Sequence, residues 1–412
     1  MAKEEFICGI DVGSAMVRVA IGQQPTEENT AAHIVGAAEH PAEGVSKGSI
    51  SSIEDTVSSI SQALEQAERM TGVPIEQAFV GVNGTHVVSQ DSHGVIAVAK
   101  SDGEIREEDV SRVIEAAQAV ATPANYEILH VIPRSFTVDN QKGIKDPIGM
   151  TGIRLEVDAQ IIQALSSQIK NLTKCIYRTS VDINDLVLGL LAAAECTLNH
   201  RQKDLGVTLI NIGSSTTGVM VFEEGDVLHT KILPVGSAHL TNDIAIGLRT
   251  SIDLAEQVKL NYGTALPEAV NKRDEVNLGE LGGDEGVISH KHIAEIIEAR
   301  VEEIFTMVDK ELQSIDRSGL LPAGVVLIGG GAKLSGMVEV AKRVFRLPAV
   351  IGTPQSVTTA IDKVKDPAFA TSVGLVKWGT GFDNQTGFSL SNLSSVKDVT
   401  KKMRGWFKSL MP

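Results

Sequence analysis

The chain has 412 residues, of which 42% are hydrophobic and 22% charged, an ordinary balance for a globular protein. Its length implies two to four domains, because single cores stop growing near roughly 250–300 residues. The net charge of −15 excludes nucleic acid as a partner and requires any contact with anionic lipid to come from a local basic element. Cys8, Cys175 and Cys196 form no CxxC pair, which speaks against a zinc site or a disulfide framework and suits a reducing cytosol. The ten histidines show no HExxH or paired-ligand spacing. The charged start, Met1 to Phe6, lacks the apolar core of a signal peptide, and no apolar run reaches the roughly 18 residues of a membrane span.

Along the chain, residues 10–22 read IDVGSAMVRVAIG: an apolar strand, a Gly/Ser turn and a second apolar strand. A helix is predicted over 51–70, with Ile53, Val57, Ile60 and Leu64 on one face, Ser51 and Glu54 at capping-box spacing, and Gly72 past its end. Strands follow at 78–82 and 87–98, a helix at 107–121, and a strand at 128–138 interrupted by Pro133. Residues 154–169 read as strand then helix, and 186–199 as an apolar helix. Residues 210–222, INIGSSTTGVMVF, echo the first hairpin: Ile10, Gly13, Ser14 and Val19 recur as Ile210, Gly213, Ser214 and Val219. Two distant copies indicate a duplicated domain rather than a short-period array. A polar, Gly-rich linker is expected at 271–287 and a long helix at 292–315. A buried strand at 325–328 enters Gly329-Gly330-Gly331, and a Gly/Ser/Asn/Thr-rich linker is expected at 379–395. The alternation of strands and helices predicts an α/β fold with helices on the faces of buried sheets.

A Gly/Ser turn lets backbone N–H groups approach phosphate oxygens, and the hydroxyls of Ser14, Ser214, Ser215, Thr216 and Thr217 add donors. One such turn also fits an ordinary hairpin. Two related turns can clamp a polyphosphate from both sides, and a triple glycine after a buried strand permits close approach to a flat base or sugar.

The order IDVGS, LAAAE, INIGSSTTG, LIGGGA is similar to the nucleotide-binding set of actin, the bacterial shape proteins and the heat-shock 70 chaperones. The stretches NGTHVVSQDSHGVIAV, ILHVIPRSFTVDN, DPIGMTGIRLEV and LPVGSAHLTNDIAIGLRTSIDLAEQVKLNYG resemble the FtsA family of bacterial division proteins in particular, from Cys8 to Gly374 and again in the tail. The resemblance implies duplicated ribonuclease-H-like domains around a nucleotide cleft, with an FtsA-type subdomain inserted. Its subdomains would be 1A at 1–82, 163–196 and 358–380; the inserted 1C at 83–162; 2A at 197–250 and 320–357; and 2B at 251–319. A linker at 381–395 and a terminal helix at 396–412 would follow. It implies ATP and Mg²⁺ as cofactors. Asp11 would hold the ion through water, with Gly13, Ser14, Ala15 and Arg18 at the first phosphate turn. Gly213 to Thr217 would form the second turn, Gly236 would also bind the nucleotide, Glu256 and Lys259 would border the nucleoside, and Gly329, Gly330, Gly331 and Ala332 would form the adenosine loop. Glu195 would orient the attacking water and, with Asp11, serve as a catalytic carboxylate.

The sequence departs from that pattern at Asn211, where the superfamily usually has Asp, and at Gly218, where it commonly has a polar residue. A neutral amide holds a hydrated hard cation less firmly than a carboxylate, so the expectation is nucleotide binding with at most slow hydrolysis. Asn211 serving only to cap the turn is the competing reading.

In the tail, Val396, Val399, Met403, Trp406, Phe407 and Leu410 would share an arc of roughly 100° on a helix. Lys397, Lys401, Lys402, Arg404 and Lys408 would cover the remainder, with Asp398 the one acid in 396–412, for a local charge of +4. That reversal against an acidic body reads as a helix lying in an anionic membrane interface; packing on the protein's own core or in a partner's groove are the alternatives.

Family resemblance further implies self-association into filaments, binding of the C-terminal peptide of the tubulin-like FtsZ, and contact with later division proteins at the septum, on the cytoplasmic face of the membrane. A kinase of the same superfamily is disfavoured by Asn211, and a chaperone by the absence of a substrate domain after Gly379. A pilus-assembly relative would lack the basic amphipathic tail.

Overall fold

The computed structural model describes residues 6–25, 31–99, 102–119, 123–282 and 286–381. The predicted membrane-binding positions, 396–412, lie outside the described residues, as does all but the start of the 379–395 linker.

Two sheets are built to one plan. In the first, Phe6–Val12 pairs antiparallel with Met16–Gln23, which pairs antiparallel with Ala32–Pro41. On the other side of Phe6–Val12, Gln77–Val82 and then Asp182–Leu188 add in parallel. In the second, Val207–Ile212 pairs antiparallel with Thr217–Glu223, which pairs with Asp226–Leu233; Gly324–Ile328 and Ala349–Ile351 add in parallel on the opposite side. The strands that share both faces with neighbours are nearly continuous apolar runs, as sheets covered on both sides require. Register repeats as well: Asp11 lies opposite Arg18, and Asn211 opposite Gly218.

The segment between Gln77–Val82 and Asp182–Leu188 carries a separate antiparallel sheet, ordered Val87–Ala97, Arg154–Leu165, Tyr126–Val138, Gln141–Ile144. Helix Glu107–Ala119 covers it and shares a core of its own with it, including Val113, Ile114, Phe136, Leu155 and Val157. Pro133 sits at a register shift opposite Ala159, where the missing N–H is tolerated. In the second half, helix His290–Ser314 buries Ile293, Ile297, Val301, Ile304, Val308 and Leu312 completely. Its spacing of three and four residues puts these side chains on one stripe against helices Ser237–Leu248 and Met337–Phe345.

Several sequence expectations shift. The helix predicted over 51–70 runs Ile53–Thr71, with Ser52 rather than Ser51 as its cap; the Ser52 hydroxyl accepts the Asp55 N–H, while Glu54 pairs with Arg178. The helix ends at Gly72, whose left-handed backbone returns its N–H to the Glu68 carbonyl at 2.7 Å. The apolar run 186–199 is not all helix: its first residues close strand Asp182–Leu188, and helix Gly189–Thr197 follows. The expected linker 271–287 contains Glu275–Asn277, which pairs with Val287–Ser289, and it buries Val276 and Leu278. The three cysteines are buried and unpaired, as their scatter suggested.

Helices Gly189–Thr197 and Ala370–Thr380 pass between the two halves and meet where Gly374 faces Ala192. A Cβ at Gly374 would lie 2.0 Å from the Ala192 carbonyl oxygen and 2.4 Å from its carbon. That contact is backbone, so no side chain can swing aside. Gly374→Ala is therefore expected to lower unfolding stability by about 1–3 kcal/mol, read from urea titration of the full chain; a change below about 0.5 kcal/mol would show that the crossing is not tight.

Candidate functional site

The tips of the two related hairpins face one cleft. Each turn closes identically: the Gly13 N–H reaches the Met16 carbonyl at 3.1 Å, and the Gly213 N–H reaches the Thr216 carbonyl at 2.9 Å. From the first half, Asp11, Gly13, Ser14, Ala15 and Arg18 line the cleft; from the second come Asn211, Gly213, Ser214, Ser215 and Thr216; Gly329, Gly330 and Gly331 complete it. The structure thus brings together thirteen of the residues that the sequence assigned to this site.

The other assigned residues stand behind the lining or away from it. Thr217 is buried and donates its hydroxyl to the Val235 carbonyl at 2.8 Å. Gly236 presses against the carbonyls of Gly213 and Ser214, where a Cβ would come within 2.6 Å of both oxygens. Ala332 is buried and closes the triple-glycine turn through its N–H to Gly329. Glu256 and Lys259 do share one helical face, but their charges meet each other and Thr241, at 2.5–2.9 Å, and neither lines the cleft. Glu195 is held away from it by an ion pair of 2.7 Å with the buried Lys203, whose ammonium also lies 5.3 Å from the Phe222 ring centre. Glu195 lies five positions after Leu190, which does line the cleft; at about 100° per residue they leave the helix on different faces. The water-orienting role expected for Glu195 has no geometric support.

Asp11 is only 8% exposed. Burial pushes its carboxyl up from the ordinary value of 3.8 to about 6, against the pull of Arg18 and a hydrogen bond of 2.9 Å from the Asn83 amide. Arg18 is itself shared: Glu39 accepts from it at 3.1 Å, and the Phe369 ring lies 5.6 Å from its guanidinium carbon. The Ser14 hydroxyl oxygen accepts the Gly48 N–H at 3.0 Å, which leaves its own proton to be donated into the cleft.

Asn83, Gly48, Leu190, Ile232 and Ser237 also line the cleft and were not singled out by the sequence. The Asn83-Gly84 dipeptide was a visible turn signal, but its reach to Asp11 crosses 72 residues. Leu190 explains the departure at Gly218: a Cβ there would fall 2.9–3.0 Å from three carbons of the Leu190 side chain. The wall beside Asn211 is therefore leucine where a polar side chain was expected.

The donors suit a polyphosphate nucleotide. Backbone and hydroxyl groups converge from both turns, one buried carboxylate and one arginine face them, and Gly330 has nothing within 4 Å of a built Cβ, so its backbone fronts open space. Gly329 takes φ +87°, and a Cβ on it would strike the Asn211 side chain at 2.4 Å. Among the described residues no cluster of three or more His, Cys, Asp or Glu could hold a metal ion alone.

The profile described as cell division protein FtsA matches residues 208–374, and that of the SHS2 domain inserted in FtsA matches residues 84–163. The cell division protein FtsA of Pseudomonas aeruginosa is 35% identical over 98% of this chain and 97% of its own length. The Bacillus subtilis protein of the same name is 38% identical over 92% and 84%, and that of Escherichia coli K12 29% identical over 98% of each. Among solved structures, the PilM–PilN type IV pilus biogenesis complex superposes with a TM-score of 0.67 at 15% identity, covering 91% of this chain and 98% of that one. MreB5 of Spiroplasma citri bound to ADP superposes at 0.51 and 14%, covering 90% and 94%. The fold is actin-like, with an SHS2 insertion.

The buried carboxylate gives a signed expectation for stability. A folded value near 6 lies above the ordinary 3.8, so the favourable protonated form is fully present below about pH 3.8 and is lost as pH rises through about 6. Asp11→Asn keeps an acceptor for Asn83 and removes the buried charge. The ligand-free variant should be more stable than the parent at pH 8 by up to about 3 kcal/mol, with the gain vanishing toward pH 4. Thermal melts across that range check it; a lower Tm at pH 8 would mean that Arg18 already compensates the charge.

Proposed function

The chain belongs to the FtsA family of cell division proteins, and on that footing we propose that it is an ATP-binding, self-associating adaptor that holds an FtsZ ring to the cytoplasmic face of the cell membrane at the septum. The observation that carries the nucleotide part is the pair of identically closed turns facing Gly329–Gly331 across one cleft. MreB5, a fold neighbour, is a nucleotide-bound protein, which supports the same reading. Phosphates would lie against Gly13, Ser14 and Ala15 on one side and Gly213 to Thr216 on the other, with Arg18 supplying positive charge. The adenosine would lie by Gly329–Gly331. Asp11 would hold a hydrated Mg²⁺, which, when bound, neutralises phosphate charge and stabilises its build-up during transfer.

Hydrolysis is slow in this reading. Asn211 contributes an amide where a second carboxylate would polarise water, Leu190 occupies the space over Gly218, and Glu195 is committed to Lys203. The nucleotide then acts chiefly to keep the two halves together.

Membrane attachment is assigned to Val396, Val399, Met403, Trp406, Phe407 and Leu410, with Lys402, Arg404 and Lys408 among the positive charges. Burying a large apolar side chain contributes about 1.5–3 kcal/mol and each basic residue near anionic lipid about 1 kcal/mol. Partial immersion and helix ordering offset much of this, so one tail binds reversibly and a polymer binds through many. Among the described residues no helix is long and apolar enough to cross a membrane. The partners are a second copy of the chain, the FtsZ C-terminal peptide, anionic lipid and later division proteins.

Three measurements bear on this. Gly330→Val, whose Cβ would meet nothing within 4 Å, should leave the melting temperature within about 2 °C of the parent yet weaken Mg·ATP binding at least ten-fold by calorimetry; equal affinity would remove the triple-glycine turn from the site. Asn211→Asp should raise phosphate release from Mg·ATP roughly ten-fold or more; no rise would leave Asn211 as a turn cap. Full-length protein with ATP should pellet with anionic liposomes, and a chain ending at Ser395 or carrying Trp406→Glu should stay in solution. Equal behaviour of all three would return weight to a pilus-type or unanchored ATPase.

A further inference from the structure

The inserted sheet touches the second half of the molecule along one strand. Asp226–Leu233 is the outer strand of the second sheet, and its free side meets residues from Val87–Ala97, Tyr126–Val138 and Arg154–Leu165. Arg134 dominates the seam. Its Nε donates to the Val227 carbonyl at 2.9 Å, and its Nη2 donates to the Leu228 carbonyl at 2.7 Å and to Asp91 at 2.8 Å. The Ser89 hydroxyl donates to the Thr230 carbonyl at 2.6 Å, the buried Thr230 hydroxyl donates to the buried Gln160 side chain at 2.9 Å, and Lys145 pairs with Asp226. The cluster around Phe136, Leu155 and Val157 contains, among the described residues, none from the second half, while Val87, Ile132, Ile162 and Ala164 belong to the larger core that also holds Val227.

The same strand runs directly to the second phosphate turn. Ile232 pairs with Gly218 and lines the cleft. Two residues past the strand, the Val235 carbonyl accepts the Thr217 hydroxyl. The N–H groups of Ser237 and Ala238 then reach the carbonyls of Gly213 and Ser214 at 2.9 and 2.8 Å. One short segment, 226–238, is thus held by the inserted subdomain at one end and grips the turn at the other.

We infer that Arg134 is a positioning residue, a latch through which the seating of the inserted subdomain sets the second phosphate turn and, reciprocally, a nucleotide in the cleft sets the seating of the inserted subdomain. A seam of side chains on backbone carbonyls suits this role, since water replaces such bonds at little net cost and the two bodies can part and rejoin. Coupling between two sites through a shared element is reciprocal by linkage. Arg134 does not line the cleft, and the strand Asp226–Leu233, whose carbonyls it holds, connects it to the second turn. This inference rests on the nucleotide reading given above for the ligand-dependent half of its test only.

The test is hydrogen exchange on the full-length protein, without ligand and with Mg²⁺ and the non-hydrolysable ATP analogue AMPPNP. In ligand-free Arg134→Ala, amides of 213–217 and 235–238 should exchange faster than in the parent, at distances Arg134 does not reach. AMPPNP should bind roughly five- to thirty-fold more weakly, and the slowing it causes at 87–92 in the parent should be lost. Should Arg134→Ala fail to fold, Arg134→Lys, which keeps the charge but lacks the planar fork, should show the same changes at smaller amplitude. Faster exchange confined to 87–97 and 226–228, with affinity within two-fold of the parent, would overturn the latch and leave a local docking contact. A parent that takes no AMPPNP would sink the nucleotide reading instead, while the ligand-free exchange would still decide the latch.

Discussion

Everything in the cleft depends on how closely two helices can cross. Gly189–Thr197 and Ala370–Thr380 lie between the two sheets, and at Gly374 there is no side chain to hold them apart. Ala370–Thr380 packs on strands of the first sheet and Gly189–Thr197 reaches strands of both sheets, so their crossing ties the turn at Gly13 to the turn at Gly213. A methyl group at that crossing would act on the cleft as a wedge acts on a hinge. The duplicated sheet plan supplies two similar turns; the crossing makes them one site.

Within that site the halves are not equal. The first presents Asp11, buried and held partly against its preference for the neutral form, with Arg18 and Asn83 as the compensating partners. The second presents Asn211 at the matching place, opposite Gly218, under the side chain of Leu190. A carboxylate at both positions would set two buried negative charges beside a polyphosphate, a costly arrangement without ions to neutralise it. On the proposed nucleotide reading, one carboxylate and one amide would orient a hydrated cation at lower electrostatic cost and with weaker activation of water.

The sequence made the two hairpins, the triple-glycine strand and the long helix legible, because each is a local pattern: a Gly/Ser turn between apolar runs, or a stripe at spacings of three and four. What it hid was set by distant contacts. Asn83 reaches Asp11, Gly48 reaches Ser14, and Leu190 excludes a side chain at Gly218, and no local pattern announces any of these. The run 186–199 misled because a fully buried strand end and a buried helix start are both continuous apolar sequence, with no period to separate them. The 271–287 segment misled in the opposite sense: two buried side chains, Val276 and Leu278, anchor a strand pair too short to show alternation. Glu195 was placed by position along a family pattern, and the direction of its side chain was decided by Lys203, eight residues on.

A cleft that binds without rapid turnover has a different use from one that hydrolyses. A ligand that contacts both halves stabilises the closed arrangement by an amount that grows with the logarithm of its concentration over Kd. If hydrolysis is slow, that stabilisation persists for as long as the ligand stays, and the closed form becomes a durable building block rather than a timed one. Such a block suits an adaptor, whose task is to keep one fixed geometry while a partner polymer turns over around it. Loss of charge at Asn211, exclusion of a polar side chain by Leu190 and the engagement of Glu195 elsewhere all push the same way. Asn211, Leu190 over Gly218 and the Glu195–Lys203 pair are thus three separate features that favour the proposed slow turnover.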